Sequence, residues 1–394
     1  MIPALPTCCI QRFPSALEFS LVLTEGNRLS VAKPAARNPK TAAAARPVAS
    51  VRPLRFTAIG GGTGLSTLLR GLKRHARHTI FSPGAANAAE LSAQQEIAEL
   101  AAIVTVTDDG GSSGRLRKDM NILPPGDLRN CMVALSEDEH LLSRLFQYRF
   151  ESGEGLQGHS FGNLFLAGLT AVTGDFALAV KTSCQILAAR GHLYPATNAD
   201  VRLRALMDDG TTVDGETKIT ASRRRIVRLM LDPPEAVALP EAVESILTAD
   251  VITLGPGSLY TSLITNLLVK GIAEALRAAP GLRVFICNLM TQANESLGLT
   301  ASQHIERIYE HAGGPIFDYV LVNTAEVPAW ARERYAVEGA EPILADLERI
   351  ERMGVRCITG DFLHAEQVVR HDYETVTQAL LALSRSAKRT PAAR

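Results

Sequence analysis

The sequence predicts an α/β fold in which an open, doubly wound and mostly parallel sheet carries an inserted helical and β-hairpin subdomain. Three observations predict it. Apolar runs at 54–59, 100–107 and 250–254 are too continuous for strands with one face in water. Each run ends in a glycine-bearing turn, and a helical pattern follows. Strand and helix patterns then alternate far along the chain, which implies ligands bound outside the carboxyl ends of the strands, where the strand order reverses.

The folded part is expected to begin at Leu54. Its first strand, 54–59, runs into Gly60-Gly61-Gly62-Thr63-Gly64, and a helix over 66–74 follows. A polar, alanine-rich segment, 82–95, precedes the strand 100–107, which ends in Asp108-Asp109-Gly110-Gly111. From Pro124 to Arg190 the pattern is helical: Asp127 can cap one helix, 137–150 forms another, and 161–172 and 176–189 form two more. The period then changes to two. Short strands are predicted at 201–207, 211–221 and 226–231, joined by turns at Asp208-Asp209-Gly210 and Asp214-Gly215. Residues 126–235 are therefore assigned to the insert, and 53–125 with 236–390 to the core. The core pattern resumes with the strand 250–254, the turn Gly255-Pro256-Gly257 and a helix opening at Ser258. Strands at 283–289, 319–323 and 355–359 follow, alternating with helices near 301–312, 340–351 and 373–385.

With 394 residues, 46% of them hydrophobic and 21% charged, the chain can bury a full core, which excludes a disordered or fibrous class. Lysine plus arginine equals aspartate plus glutamate at 41 each, so no global basic field favours nucleic acid. The cysteines Cys8, Cys9, Cys131, Cys184, Cys287 and Cys357 form no Cys-x-x-Cys pair and read as reduced thiols of a cytoplasmic protein. No membrane span is expected, because the uncharged stretch 160–174 is too short and contains Asn163 and glycines. Residues 1–52, rich in Ala, Pro and Arg, are expected to be a disordered extension. Pro3, Pro6, Arg12, Pro14 and Glu18 interrupt every signal-peptide candidate within it. A dispensable segment, an early start site, a transit peptide and an interaction tail are its open readings.

The run from Gly60 to Ser66 offers bare backbone N–H groups and the positive end of a helix to a phosphate. Leu65 stands where a dinucleotide fingerprint needs glycine, and no lysine completes a Walker A loop. Anion binding is implied; NAD and ATP are not. The second loop, Thr107 to Arg117, combines Asp108 and Asp109 with Ser112, Ser113, Arg115 and Arg117. Its carboxylates could hold ribose hydroxyls or Mg²⁺, and its arginines could clamp phosphate. Gly255-Pro256-Gly257-Ser258 repeats the first device, so two helix termini could face one diphosphate. Gly158-His159-Ser160-Phe161-Gly162 matches a nucleophile elbow, yet polar, glycine-rich residues precede it where a buried strand is required. Ser160 is read as a helix cap or ligand contact, with His159 and Asn163 as polar neighbours.

Six motifs in this order, at 60–66, 107–117, 124–130, 158–163, 255–262 and 288–292, closely resemble the gluconeogenesis factor (YvcK-like) family. That family shares its fold with 2-phospho-L-lactate transferase (CofD-like), and the resemblance spans about 56–383. It implies a Rossmann-like nucleotide-binding core, a UDP-sugar such as UDP-N-acetylglucosamine as ligand, and a role in cell shape and envelope synthesis under gluconeogenic growth. The matching motifs bring Asp127, Arg129, Asn130, Asn288 and Thr291 into the candidate ligand-binding set. Transferase relatives move a phospholactyl group onto a deazaflavin alcohol with Mg²⁺. Asp108 and Asp109 match their aspartate-bearing loop, and would be catalytic and hold the metal if this chain were a transferase. The favoured expectation is binding without turnover and without a required cofactor. Implied partners are the nucleotide sugar and a protein of wall synthesis or its control, with a homo-oligomer left open. The sequence departs from the family pattern in its amino-terminal extension and in the enlarged segment 78–98.

Overall fold

The apolar runs pair into one nine-stranded sheet. The computed structural model describes residues 20–24, 28–32, 53–77, 96–137, 141–222, 224–293 and 295–387. In chain order the strands are β1 (Ser20–Thr24), β2 (Arg28–Ala32), β3 (Leu54–Gly60), β4 (Ile97–Val104), β5 (His192–Pro195), β6 (Arg202–Met207), β7 (Thr212–Asp214), β8 (Ile226–Asp232), β9 (Val251–Leu254), β10 (Leu282–Ile286), β11 (Tyr319–Asn323), β12 (Arg356–Gly360), β13 (Leu363–Ala365) and β14 (Val369–His371). The main sheet runs β1-β2-β12-β11-β10-β9-β3-β4-β5, and every neighbouring pair is parallel except β1 with β2. The predicted class, a doubly wound and mostly parallel sheet, is the observed one.

Burial explains the pattern. All four residues of β9 are buried, as are all of β3 except Arg55, so both faces of these strands are covered by helices. From β3 the chain winds one way through β4 and β5, and from β9 the other way through β10, β11 and β12. The order reverses between β3 and β9, and their carboxyl ends flank the crevice.

The helix Gly62–His75 leaves β3 and buries Leu65, Leu68, Leu69 and Leu72 as one stripe. Gly71 lets it lie directly on the helix Tyr373–Ala387: a methyl group there would fall 2.4 Å from Thr377 Oγ1 and 2.7 Å from the Tyr373 carbonyl.

Several expectations change. Within the extension, β1 and β2 are strands, and β2 adds to the edge of the sheet through Ile358↔Leu29 and Thr359↔Ser30. Two five-residue runs of strand-forming sequence are diluted by the Ala, Pro and Arg around them, which is why composition pointed to disorder. The rest of the extension, with Cys8 and Cys9, and the segment 82–95 lie outside the described residues. The boundaries drawn for 126–235 are crossed as well. Strand β5 joins the main sheet beside β4, and only β7-β6-β8 forms a separate small sheet. The stretch 211–221 is not one strand: after β7 the chain turns at Gly215, with φ 95°, into the helix Glu216–Ala221. A distant residue causes this, since the Asp109 carboxylate accepts the Thr217 N–H at 2.8 Å. The expected 340–351 helix is confined to Leu347–Arg352, beyond Pro342.

Cys131, Cys184, Cys287 and Cys357 are free and buried. No helix among the described residues is long and apolar enough to cross a membrane.

Candidate functional site

The glycine loops after β3 and β9 touch. A methyl group on Gly64 would fall 2.4 Å from the Pro256 carbonyl oxygen, so glycine is what allows the contact. Between and beyond them opens a crevice of about 380 Å³. Its floor is Gly61, Gly62, Thr63 and Gly64, and Gly257, Ser258 and Ser262 form one wall. Asn288, Thr291 and Gln292, beyond the end of β10, continue the lining, with Gln292 bonded to Ser258. Tyr335, Arg370 and His371 border the remaining side.

The two loops differ in what their helices still offer. The helix Gly62–His75 has Gly61 as its cap and no side-chain cap hydrogen bond, so its terminus faces the crevice. Gly62 sits at φ 62°, and its N–H is held by the Asp127 carboxylate. After β9 the chain opens as a π-helical turn, Leu259–Ile264. Its start is filled by Glu295, whose Oε2 accepts the N–H groups of Tyr260 at 3.1 Å and Thr261 at 3.4 Å, while Oε1 accepts the Thr261 hydroxyl at 2.9 Å. Burial raises the Glu295 pKa while these donors oppose the rise. Ser258 does not cap this turn; its Oγ accepts from Gln292 Nε2 at 3.1 Å. The expectation of two free helix termini is therefore corrected to one.

Behind Gly62 lies a second chamber of about 190 Å³. Asp108, Ser112 and Ser113 come from the second predicted loop, Asp127, Arg129 and Asn130 from the start of the helix Gly126–Leu135, and Arg149 and Asn163 from the elements beyond. Asp127 does not cap its helix; it lies in the first turn and faces Gly62. Burial and the neighbouring Asp108 raise its pKa to about 6, against the Gly62 N–H and Arg129. Glu216, half-buried beside them and accepting the Thr107 hydroxyl at 3.1 Å, is pushed well above the usual carboxylate range by desolvation, then by Asp127 and Asp108. One hydrogen-bonded chain runs through the chamber wall: Asn163 Nδ2 donates to Ser112 Oγ at 3.1 Å, and Ser112 Oγ lies 2.9 Å from His159 Nδ1.

Not every predicted residue arrives at the site. Gly60 and Gly255 end their strands and line neither cavity; Gly255, at φ 94°, lets the chain pass close to the Ile286 carbonyl. Arg117 is buried away from the crevice, ion-paired to Asp200. Arg115 stands outside the chamber lining, donating to the Gln157 carbonyl at 2.8 Å. Asp109 holds the helix Glu216–Ala221, so Asp108 and Asp109 do not converge on one metal. The carboxylate that approaches Asp108 is Asp127: a methyl on Gly126, one residue away, would lie 2.9 Å from Asp108 Oδ2. Among the described residues no three metal-ligating side chains gather, so a Mg²⁺ here would rest on Asp108 and Asp127 and on ligand phosphates, an arrangement Mg²⁺ tolerates. Ser160 caps the helix Phe161–Thr173 through the Asn163 N–H at 3.3 Å and accepts from Arg129 Nη1 at 2.6 Å. Among the described residues its hydroxyl bonds an arginine and a backbone N–H and not a base, the arrangement of a helix cap and not of an activated nucleophile.

Sequence reasoning missed Tyr335, Arg370, His371, Arg149, Glu216 and Glu295. Arg370 and His371 sit on the three-residue strand β14, too short to leave a periodic signal. Glu295 lies three residues beyond the 288–292 motif, and a carboxylate so near an apolar run was the available clue.

This geometry has close relatives. Residues 56–363 match the family model described as 2-phospho-L-lactate transferase CofD. The chain is 46% identical over 323 residues to the gluconeogenesis factor of Halalkalibacterium halodurans, covering 82% of this chain and 94% of that one. It is 43% identical over 330 residues to the gluconeogenesis factor of Bacillus subtilis, covering 84% and 98%. A crystal structure of a Bacillus halodurans protein superposes with a TM-score of 0.77 at 45% identity, covering 84% of this chain and all of that chain. With the family model matching residues 56–363 and relatives more than 40% identical over more than four fifths of the chain, the chain belongs to the gluconeogenesis factor family, built on a CofD-like domain.

Proposed function

We propose that the chain is a regulatory protein that binds a UDP-sugar, UDP-N-acetylglucosamine in particular, and acts in the cytoplasm on cell shape and envelope synthesis under gluconeogenic growth. The carrying observation is the contact between Gly64 and Pro256, which seats an open helix terminus against a second glycine loop in one crevice at the switch point. The ligand's diphosphate lies over Thr63 and Gly64, where free N–H groups and the helix dipole meet it. Arg370, which borders the crevice, balances its charge, and Tyr335 supplies an aromatic ring for the base. Asn288, Thr291 and Gln292 supply the amide and hydroxyl groups that a pyrimidine edge or ribose requires. The proposed protein partner is one of wall synthesis or its control.

Turnover is not part of this reading, because no nucleophile with its base lines the crevice among the described residues. The second reading is a transferase, favoured by one observation, the convergence of Asp108 and Asp127. Mg²⁺ bound between them would neutralise phosphate charge. Titration calorimetry with UDP-N-acetylglucosamine, GDP and a deazaflavin alcohol, with and without Mg²⁺, followed by chromatography of the ligand, separates the two. The expected result is binding of the UDP-sugar and its recovery intact. Silence toward UDP-sugars, or group transfer to the deazaflavin, would replace this reading with the transferase.

A further inference from the structure

The chamber behind Gly62 is lined by groups whose hydrogen-bonding capacity the protein does not use up. Asn163 is 2% exposed, donates its amide to Ser112, and leaves Oδ1 without a partner. Asp108 accepts the Gly110 N–H at 2.9 Å through one oxygen, and its other oxygen approaches Gly126. Part of the donor set is engaged. Arg129 gives Nη1 to Ser160 and Nη2 to Asn130 Oδ1, and Arg149 gives Nη1 to the Gly158 carbonyl. Arg129 Nε is a buried donor still unmatched. The chamber thus keeps buried acceptor capacity, two carboxylates among it, beside two guanidinium groups. A group bearing several hydroxyls is the right occupant.

The chamber also sits in the right place. A methyl on Gly62 would lie 3.7 Å from Asp127 Oδ1, so the backbone that floors the nucleotide crevice also borders the chamber. A water takes about 30 Å³ in the liquid, and a volume near 190 Å³ admits a ring-sized polar group.

We propose that this chamber receives the sugar ring of the nucleotide sugar, with Asn163 and Asp108 as acceptors for its hydroxyl groups. The assignment rests on the nucleotide-sugar reading above and adds a position for the part of the ligand that distinguishes it from UDP. Asn163 is then a specificity-determining residue: its oxygen, buried and unpartnered, is satisfied by a hydroxyl that UDP lacks.

The test is calorimetry with UDP and UDP-N-acetylglucosamine on the full chain and on Asn163→Ala and Asp108→Asn. The readout is the ratio of the two dissociation constants. The wild type is expected to prefer the sugar nucleotide at least about tenfold, and each variant to lose about tenfold in that ratio, the size of one buried hydrogen bond to a ligand. Because UDP is measured on the same sample, a variant that fails to fold loses both ligands and is recognised; Asp108→Asn, which keeps the side-chain volume, then decides. UDP binding with a ratio near one in the wild type, or with a ratio unchanged in the folded variants, would overturn the sugar chamber alone. Failure of the wild type to bind either nucleotide would overturn the nucleotide-sugar reading and the chamber assignment together.

Discussion

The loops after β3 and β9 are made of the same materials, glycine, a hydroxyl residue and the start of a helix, and they meet across one crevice in opposite states. The first opens a helix whose Gly62 N–H is held by Asp127, while Gly61 supplies no side-chain cap to the N–H groups that follow, so its terminus still faces the cavity. The second runs into a turn whose first N–H groups are taken by the buried Glu295. A glycine-rich strand end therefore records that the backbone must come close to something. Whether that something is a ligand or another part of the chain is decided by residues far away in sequence.

The largest effect is expected from breaking the open loop. Gly62→Val places a branched side chain at φ 62° beside Asp127, which strains the loop and displaces the N–H groups that follow it. Calorimetry should show UDP-sugar affinity reduced by about 100-fold or more, at the scale of losing a charged-ligand clamp, while circular dichroism keeps the α/β signature. Unchanged affinity would place the ligand elsewhere.

Breaking the closed loop should cost stability instead. Glu295→Ala leaves two main-chain donors and a hydroxyl without their acceptor, worth about 3 kcal/mol in denaturant titration. Glu295→Gln keeps an acceptor oxygen and should recover most of it. Equal stability of all three proteins would mean that this terminus is as open as the first.

A pH titration sharpens the crevice side. Burial pushes the His371 imidazole down to about 4, and its Nε2 faces the Cys287 carbonyl at 3.1 Å. The folded protein holds it neutral, whereas the unfolded chain takes up a proton near pH 6.5. Between pH 6.5 and 4 the unfolded state binds the extra proton, so stability falls as pH falls and this contribution levels off below about 4. Thermal melts of the wild type should lose stability faster over that window than those of His371→Gln, and parallel curves would contradict the assignment.

The smallest effect belongs to the elbow-like motif. Ser160→Ala should remove a helix cap worth about 1 kcal/mol, and fluorophosphonate should leave the wild-type serine unlabelled. Labelling would reinstate a nucleophile.

What could be read from the chain follows from the same contrast. Strands buried on both faces, such as β3 and β9, announce themselves through continuous apolar residues, and so did the parallel sheet and its glycine turns. Strand β5 did not, because four residues ending in Pro195 carry too little pattern. Side-chain commitments were invisible for a different reason. Asp109 reaches Thr217 across 108 positions and Glu295 reaches Tyr260 across 35, and no local rule distinguishes such a carboxylate from one that faces a ligand. The residues of the site were legible mainly as loops, and their individual duties required the fold.

The contact at Gly71 sets a timetable for synthesis. The helix that presents its terminus to the crevice is completed against the helix Tyr373–Ala387, and Arg74 and Glu374, which meet there, are 300 residues apart. Its parent strand β3 waits in the same way for β9, through pairs such as Phe56↔Val251. A ribosome that has released the first glycine loop has therefore released an element with neither its flanking strand nor its backing helix. Contacts of such long range close late. Any ligand that needs that crevice can engage only a finished protein, and cannot guide the nascent chain toward its fold.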